Sequence, residues 1–472
     1  MSARARIVVL GVVALVLLFA RLGHGPLANY DDCYYAQKAK EMLQGGDWLT
    51  PHFAGHVRLD NPPLFLWLIA LGFQVFGVGG FGAAFFSAAA GVASVLLTVR
   101  LARRLGLDEF EAWSAGAILL TTQYFVKYAG HAMMDVVLTM LFLIAIDGYL
   151  SGAEGRRRGW LQLGLATGAG VFMKSVLGLF PLVVAGLHRL TVRRKAAALD
   201  PGLWIAAGAT ILVGAPWFLY QYQVHPDVLL GEHFRWLIWD RGFVERVAQE
   251  GSGPLGYFAR IAKVYWPWLP LAVAGVWLES KRAFDRSIAP ESRSASRLIL
   301  IWLVVVLGTM SFGHVKKLWY VMSVFPCLAL LSARAVGALL HSEPARRKAM
   351  GWASGVLAVG AAVFAATSIG ESHRRQPDLY AMALVARADA PPGLRVINLD
   401  APYWDVANAF LFYSDHDLTD PLGDPARVSE LVRGGAWALI AAARVEEIAG
   451  APGSGCRIAA RAGDWALVAP AR

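Results

Sequence analysis

Charge is scarce in this chain: Asp, Glu, Lys and Arg make up 17% of its 472 residues, against about 25% in an ordinary soluble domain. Cysteine is scarcer, with three residues, which excludes a small disulfide-stapled scaffold. The net charge of +10 is not gathered on one helix or one tail, so it does not describe a nucleic-acid-binding surface. Internal repeats and glycine- or proline-broken helices at matching positions, the marks of many transporters, are missing as well. The last hundred or so residues contain no phosphate-binding glycine loop, zinc-ligand spacing or nucleophile elbow.

What the sequence does have is apolar length. Hydrophobic residues make up 57% of it, and stretches approaching the roughly 20 residues needed to cross a bilayer recur between clusters of charge. The candidate spans are 7–22, 82–101, 112–128, 133–151, 160–173, 176–191, 202–221, 263–279, 298–313, 318–337 and 350–367, eleven in all. Basic clusters follow the even-numbered ones: Arg100, Arg103 and Arg104; Arg156 to Arg158; Arg193, Arg194 and Lys195; Lys281 to Arg297; and Arg346 to Lys348. By the positive-inside rule those loops and the N-terminus are cytoplasmic, and the opposite loops face outward. The N-terminal apolar segment lacks a small-x-small cleavage site and reads as a retained span, not a leader.

Two outward loops, 23–81 and 222–262, are too long to be simple connectors and belong to a transmembrane domain over 1–367. In the first, Pro62-Pro63 opens an apolar segment, Leu64 to Phe76, which reads as a helix lying in the membrane interface. From 368 to 472 the pattern changes to a small α/β domain: helix-like 379–388 and 406–413, strand-like 394–399 and 436–442, and a hairpin turning at Gly463-Asp464. Cys327 lies within a span, while Cys33 and Cys456 fall on the outward side, where a disulfide is permitted and nothing in the spacing demands one.

Ionisable residues near a membrane are costly to place, and here they collect at the outward ends of the spans. Asp31 and Asp32 follow the first span, and Lys127, His131 and Asp135 occupy the turn between the third and fourth. Lys174 lies between the fifth and sixth; Glu232, His233 and Arg235 lie in the second long loop; Lys316, Lys317 and Tyr320 lie between the ninth and tenth. A leaving phosphate needs cations, which Lys174, Arg235, Lys316 and Lys317 can supply, and an attacking hydroxyl needs a carboxylate, which Asp31 can supply. Each has a plainer reading: a cation at a span end snorkels to headgroups, an acidic pair caps a helix, and a histidine without a partner at metal-ligand spacing is a structural hydrogen-bonder. Asp31, Asp32, Glu232 and His233 are the residue types that hold a divalent metal ion, should they meet.

The order of the motifs adds a further signal. Asp31-Asp32-Cys33-Tyr34-Tyr35-Ala36 opens the first outward loop, with Ala39 and Met42 completing a helical pattern; Gly46-Asp47-Trp48 and Asp60-Asn61-Pro62-Pro63-Leu64 come next, then Met133-Met134-Asp135, Lys174 and Lys316 to Tyr320. Taken in order, these residues resemble the GT-C membrane glycosyltransferases, in the branch of protein O-mannosyltransferases and the lipid A aminoarabinose transferase. The sequence departs from that branch where Asn61 replaces a basic residue and Tyr34 replaces an arginine.

The resemblance implies an all-α polytopic fold of about eleven transmembrane helices with the small α/β domain outside. It implies an inverting enzyme using a polyprenyl-phosphate sugar and an acceptor that is lipid A, a protein or an envelope glycan. In that scheme Asp31 is general base or acceptor-orienting carboxylate, supported by Asp32 and Asp135. Lys174, Arg235, Lys316, Lys317 and Tyr320 hold the donor phosphate, and Tyr35, Asp60, Asn61, His131, Glu232 and His233 contact substrate. A transporter or lipid flippase is the alternative that the apolar spans leave open.

Overall fold

The computed structural model describes residues 3–20, 22–28, 30–193, 200–244, 253, 255–367, 376–401, 403–449 and 455–471. Arg194 and Lys195 of the third basic cluster, 245–252 and 254 of the second long loop, and Pro402 lie outside the described residues. Helices dominate. Among the described residues six helical stretches are long and apolar enough to cross a membrane: Gly80–Arg104, Met134–Ala153, Arg157–Val192 (interrupted after Lys174 by the short 3-10 turn Ser175–Leu179), Pro201–Val224, Pro290–Phe312 and Glu343–Ala366. Ala5–Phe19, Leu64–Phe76 and Val324–Leu339 are shorter apolar helices. The protein is thus a multi-pass membrane protein with a small sheet-containing region at its C-terminal end.

Some expected elements appear with changed outlines, for local reasons. The stretch expected as one span over 112–128 is two helices, Glu109–Leu120 and Gln123–Ala129. The break falls where the Thr121 and Thr122 hydroxyls donate back to the carbonyls of Ala117 at 2.9 Å and Ile118 at 2.8 Å, a local bond that competes with the helical ladder. The helix expected over Leu64 to Phe76 occupies those residues; at 1.5 Å per residue it is about 20 Å long, short of a membrane core of about 30 Å. The second long loop is not irregular: Leu229–Val244 forms a π-helix, a rare winding that concentrates at functional sites.

The chain divides into two compact units. The first comprises Met1–Leu22, Arg58–Phe65 and Phe85–Ile369; the second comprises Gly23–Val57, Leu66–Ala84 and Gly370–Arg472.

In the first unit, small residues let helix backbones approach closely. A Cβ on Gly275 would lie 2.0 Å from the carbonyl oxygen of Leu331, and one on Gly178 would lie 2.1 Å from the carbonyl carbon of Gly170. Charge adds a second kind of fastening. Arg334, on Val324–Leu339, donates to Glu279 at 2.7 Å and Glu111 at 2.9 Å, joining three helices through two carboxylates that are themselves buried.

In the second unit, a two-stranded ribbon pairs β1 (His52–Phe53) with β2 (His56–Val57), and Glu41 holds its turn by accepting from the Ala54 and Gly55 amides. A four-stranded sheet, ordered β3-β4-β6-β5, contains β3 (Ile397–Asn398), β4 (Ala438–Ala441), β5 (Cys456–Ala462) and β6 (Trp465–Pro470). β3 runs parallel to β4, and β6 is antiparallel to both β4 and β5. The hairpin joining β5 to β6 turns at Gly463, whose φ of +51° suits a residue without a Cβ. Leu399, Val428, Val432, Ile440 and Val468 form the buried core. All three cysteines are free thiols.

Candidate active site

Asp135 stands in the first turn of helix Met134–Ala153, and Lys174 is the last residue of helix Arg157–Lys174. Each charge therefore complements its own helix dipole, an acid at an N-terminus and a base at a C-terminus. The two ends meet, with Lys174 Nζ donating to Asp135 Oδ1 at 2.5 Å. Both residues are buried, Asp135 at 2% exposure and Lys174 at 9%. The Asp135 end is fixed from behind by Ser87, whose hydroxyl bonds both the amide and the carbonyl of Met133.

The pair is unevenly satisfied. Asp135 Oδ2 is buried and accepts no hydrogen bond among the described residues. Asp135 also lines a small cleft together with Gly170, Leu177, Phe180, Trp319 and Tyr320. Lys174 Nζ also lies 5.1 Å from the centre of the Tyr320 ring, a cation–π contact that strengthens as water is excluded.

The helix that delivers Lys174 has to end there. Ser175 takes φ +49° and ψ −125°, a left-handed conformation that is costly for a residue with a Cβ. His233 holds it, with Nε2 3.0 Å from the Ser175 hydroxyl and Nδ1 2.9 Å from the Leu59 carbonyl oxygen. A carbonyl can only accept, so Nδ1 carries the proton and neutral Nε2 accepts from the serine. Burial keeps the ring neutral by pushing its pKa below the ordinary histidine value, against the opposing pull of the Leu59 carbonyl. Glu232 grips the same residue from the other side, accepting the Leu59 amide at 2.8 Å, and Arg58 approaches its other oxygen at 3.4 Å. Consecutive residues of the π-helix therefore hold both polar backbone groups of Leu59, next to Asp60 and Asn61, whose side chains bond each other at 2.9 Å.

A second cationic group lies in the segment just after helix Pro290–Phe312. Lys316 is buried and turns its Nζ onto the carbonyls of Ser311 at 2.8 Å and Gly313 at 2.5 Å. Burial, with the neighbouring Arg260 guanidinium, pushes the Lys316 ammonium below its ordinary pKa. Arg260 donates to the Lys316 carbonyl at 2.7 Å and the Tyr257 hydroxyl to that of Lys317 at 3.3 Å, while Lys317 Nζ lies 5.6 Å from the Trp319 ring centre. His131 sits against Tyr128, with ring centres 6.0 Å apart, and Arg235 is exposed on the π-helix.

Of the residues expected from sequence, the first unit contains Asp135, Lys174, Lys316, Lys317, Tyr320, His131, Arg235, Glu232, His233, Asp60 and Asn61. It brings Asp135, Lys174 and Tyr320 together, and it ties Glu232 and His233 to the Leu59–Asn61 segment and to Ser175. Asp31, Asp32 and Tyr35 belong to the second unit, on helix Asp31–Gly45, where Asp32 and Tyr35 are buried and Asp31 is half-buried. Among the described residues no group of three or more His, Cys, Asp or Glu side chains is arranged to hold a metal ion. Sequence reasoning missed Ser175, Tyr257 and Arg260. Arg260, with Lys263, comes just after the aromatic pair Tyr257-Phe258 at the edge of a span, and that basic–aromatic mixture was the available signal.

The helical multi-pass fold and the kinship of the chain together place it among the membrane glycosyltransferases of the GT-C type. Residues 6–230 match the family described as "Dolichyl-phosphate-mannose-protein mannosyltransferase". The undecaprenyl phosphate-alpha-4-amino-4-deoxy-L-arabinose arabinosyl transferase of Pseudomonas aeruginosa (strain UCBPP-PA14) is 31% identical over 401 residues, 80% of this chain and 70% of the relative. The enzyme of the same name from Aeromonas salmonicida is 30% identical over 368 residues, 76% of this chain and 65% of the relative. The chain belongs to this family of undecaprenyl-phosphate-dependent arabinosyl transferases.

Solved structures agree on the fold. ArnT from Cupriavidus metallidurans bound to undecaprenyl phosphate superposes with a TM-score of 0.77 at 19% identity, covering 99% of this chain and 98% of that one. The archaeal oligosaccharyltransferase AglB from Archaeoglobus fulgidus gives 0.59 at 11% identity, covering 94% and 70%.

Proposed function

We propose that the protein transfers an amino-pentose of the 4-amino-4-deoxy-L-arabinose type from undecaprenyl phosphate to an acceptor outside the bacterial inner membrane, lipid A before a protein or an envelope glycan. The N-terminus is cytoplasmic in this reading and the C-terminal region extracytoplasmic, in keeping with the placement of the basic clusters. Kinship at 31% identity over 401 residues supports the donor. The observation that supports the chemistry most directly is the buried Asp135–Lys174 pair, with Asp135 in the lining of the cleft.

Chemically, the step is a single displacement. An acceptor oxygen forms the new bond to the sugar's anomeric carbon while the bond from that carbon to the phosphate oxygen breaks. The electron pair leaves with undecaprenyl phosphate, and the anomeric configuration inverts. Asp31 takes the acceptor's proton if the acceptor is a hydroxyl and orients it if the acceptor is a phosphate, with Asp32 in support. Lys174, Lys316, Lys317, Arg235 and Tyr320 counter the negative charge growing on the leaving phosphate, and Asp135 holds Lys174 in place. Tyr35, Asp60, Asn61, His131, Glu232 and His233 shape the substrate sites.

The test is transfer by the purified chain in proteoliposomes, with undecaprenyl-phosphate-linked aminoarabinose as donor and lipid A as acceptor, read by mass spectrometry. Sugar-modified lipid A is expected from the parent and none from Asp31→Asn at parental expression. Labelled solute counterflow without sugar transfer would instead favour the transporter alternative.

A further inference from the structure

Helix Asp31–Gly45 carries Asp31 and Asp32 in its first turn, yet its N-cap residue, Tyr30, makes no side-chain cap hydrogen bond. In that first turn the Cys33 amide donates to the Ala28 carbonyl at 3.4 Å, longer than an ordinary amide hydrogen bond. Contacts from further along the chain add to the placing of that turn.

Tyr413 is one such outside contact. Its hydroxyl accepts the Leu27 amide at 2.7 Å, while the Cys33 thiol donates to the Leu27 carbonyl at 3.7 Å. The residue that leads the chain into the helix is thus held at both its polar groups. Tyr413 is itself seated edge-on against Tyr380, with ring centres 4.6 Å apart.

The second contact is Lys40, further along the same helix and buried at 6% exposure. Its Nζ donates to the Phe412 carbonyl at 2.7 Å and pairs with Asp415. Phe412 lies in the last turn of helix Tyr403–Ser414, where carbonyls lack helical partners and the dipole is negative. Lys40 therefore caps the end of that helix from a different part of the chain. Asp415 just beyond takes φ +61° and receives a second cation, Arg387, at 3.1 Å. An apolar side chain would fill the space of Lys40 with less desolvation cost, so a cation there answers the helix end specifically.

We propose that residues 376–471 act as a positioning domain for the Asp31–Asp32 turn, with Tyr413 and Lys40 as the positioning residues. The proposal rests on the role proposed for Asp31 in transfer. Orientation enters the transition state more than the binding of the donor lipid, so its loss appears in kcat and leaves KM for the donor unchanged.

The experiment compares Tyr413→Phe, Lys40→Met and Lys40→Arg in the full-length protein, measuring kcat, donor KM, undecaprenyl phosphate affinity and melting temperature. Tyr413→Phe and Lys40→Met are expected to lower kcat by about ten- to a hundred-fold, the scale of an ångström-sized misplacement. Donor KM and lipid affinity stay near those of the parent, Lys40→Met lowers the melting temperature while the protein remains folded at the assay temperature, and Lys40→Arg restores most of kcat because a guanidinium also reaches carbonyl and carboxylate. Unchanged kcat in both variants, or a kcat loss that tracks lost lipid affinity or lost folding, overturns the proposal. Asp31→Asn is assayed alongside: full activity there removes the role on which the proposal rests, whereas an inactive Asp31→Asn with parental kcat in Tyr413→Phe and Lys40→Met removes the positioning role alone.

Discussion

Replacing Lys174 with methionine removes a cation that a buried carboxylate depends on. Asp135 is 2% exposed and its Oδ2 already lacks a hydrogen bond among the described residues, so Lys174 supplies the bond on Oδ1. Breaking a buried pair by deleting one partner costs about 3–5 kcal/mol, because the remaining charge is left desolvated. The lost contact with the Tyr320 ring adds about 0.5–2 kcal/mol. Replacing both partners, as Lys174→Met with Asp135→Leu, should return most of that stability, since an apolar pair of similar volume is often neutral. Activity should return in neither variant if the pair faces the donor phosphate. The assay is denaturation of the purified protein in detergent, set beside undecaprenyl phosphate binding. A Lys174→Met protein as stable as its parent would refute the energetic reasoning, and a doubly substituted protein that binds the lipid normally would refute the functional part.

The geometry sets three further outcomes. His233 has its pKa lowered below the ordinary value of 6.5, so the unfolded chain protonates first as pH falls; the stability from this site is present above pH 6.5 and lost as pH drops through the folded value. Melting curves between pH 5 and 8 should show that loss, and His233→Asn should flatten it while costing about 1–3 kcal/mol for the hydrogen bonds to Leu59 and Ser175. Arg334→Met leaves Glu111 and Glu279 buried without their shared guanidinium and should destabilise by about 3–5 kcal/mol, with Glu279→Gln in the same protein recovering part of it. Gly275→Ala would force a Cβ to within 2.0 Å of the Leu331 carbonyl oxygen, so the two helices must separate; a drop of about 1–3 kcal/mol is expected, and an unchanged melting temperature would contradict that packing.

Much of the architecture was legible because lipid imposes simple rules on sequence. Apolar length gave the helices, and the Leu64–Phe76 helix was located to the residue by its paired prolines and the uniformly apolar run after them. The strands near 394–399 and 436–442 and the turn at Gly463 also showed, because β-branched runs and turn residues are local signals. What could not be read was anything that depends on distant residues finding each other. Glu111 and Arg334 are 223 residues apart, and nothing near either announces the other. The π-helix was read as loop because its winding breaks the 3.6-residue period that sequence patterns are tested against. Within the candidate site, Lys174 and Asp135 were both singled out as charged residues at span ends; that they neutralise one another appears only in three dimensions, since 39 positions separate them.

That neutralisation bears on turnover. In the proposed reaction the donor is a phosphodiester with a single negative charge, whereas the lipid left behind is a phosphomonoester carrying about one and a half to two. A bare, buried lysine would cling hardest to the more highly charged of the two, and the spent carrier would block the next cycle. With Asp135 already 2.5 Å from its ammonium, Lys174 offers only part of its charge to whatever enters the cleft. Under the proposed reaction, affinity for the by-product would thereby be capped, and the carboxylate that weakens the grip on the donor would be the same one that lets the empty carrier go.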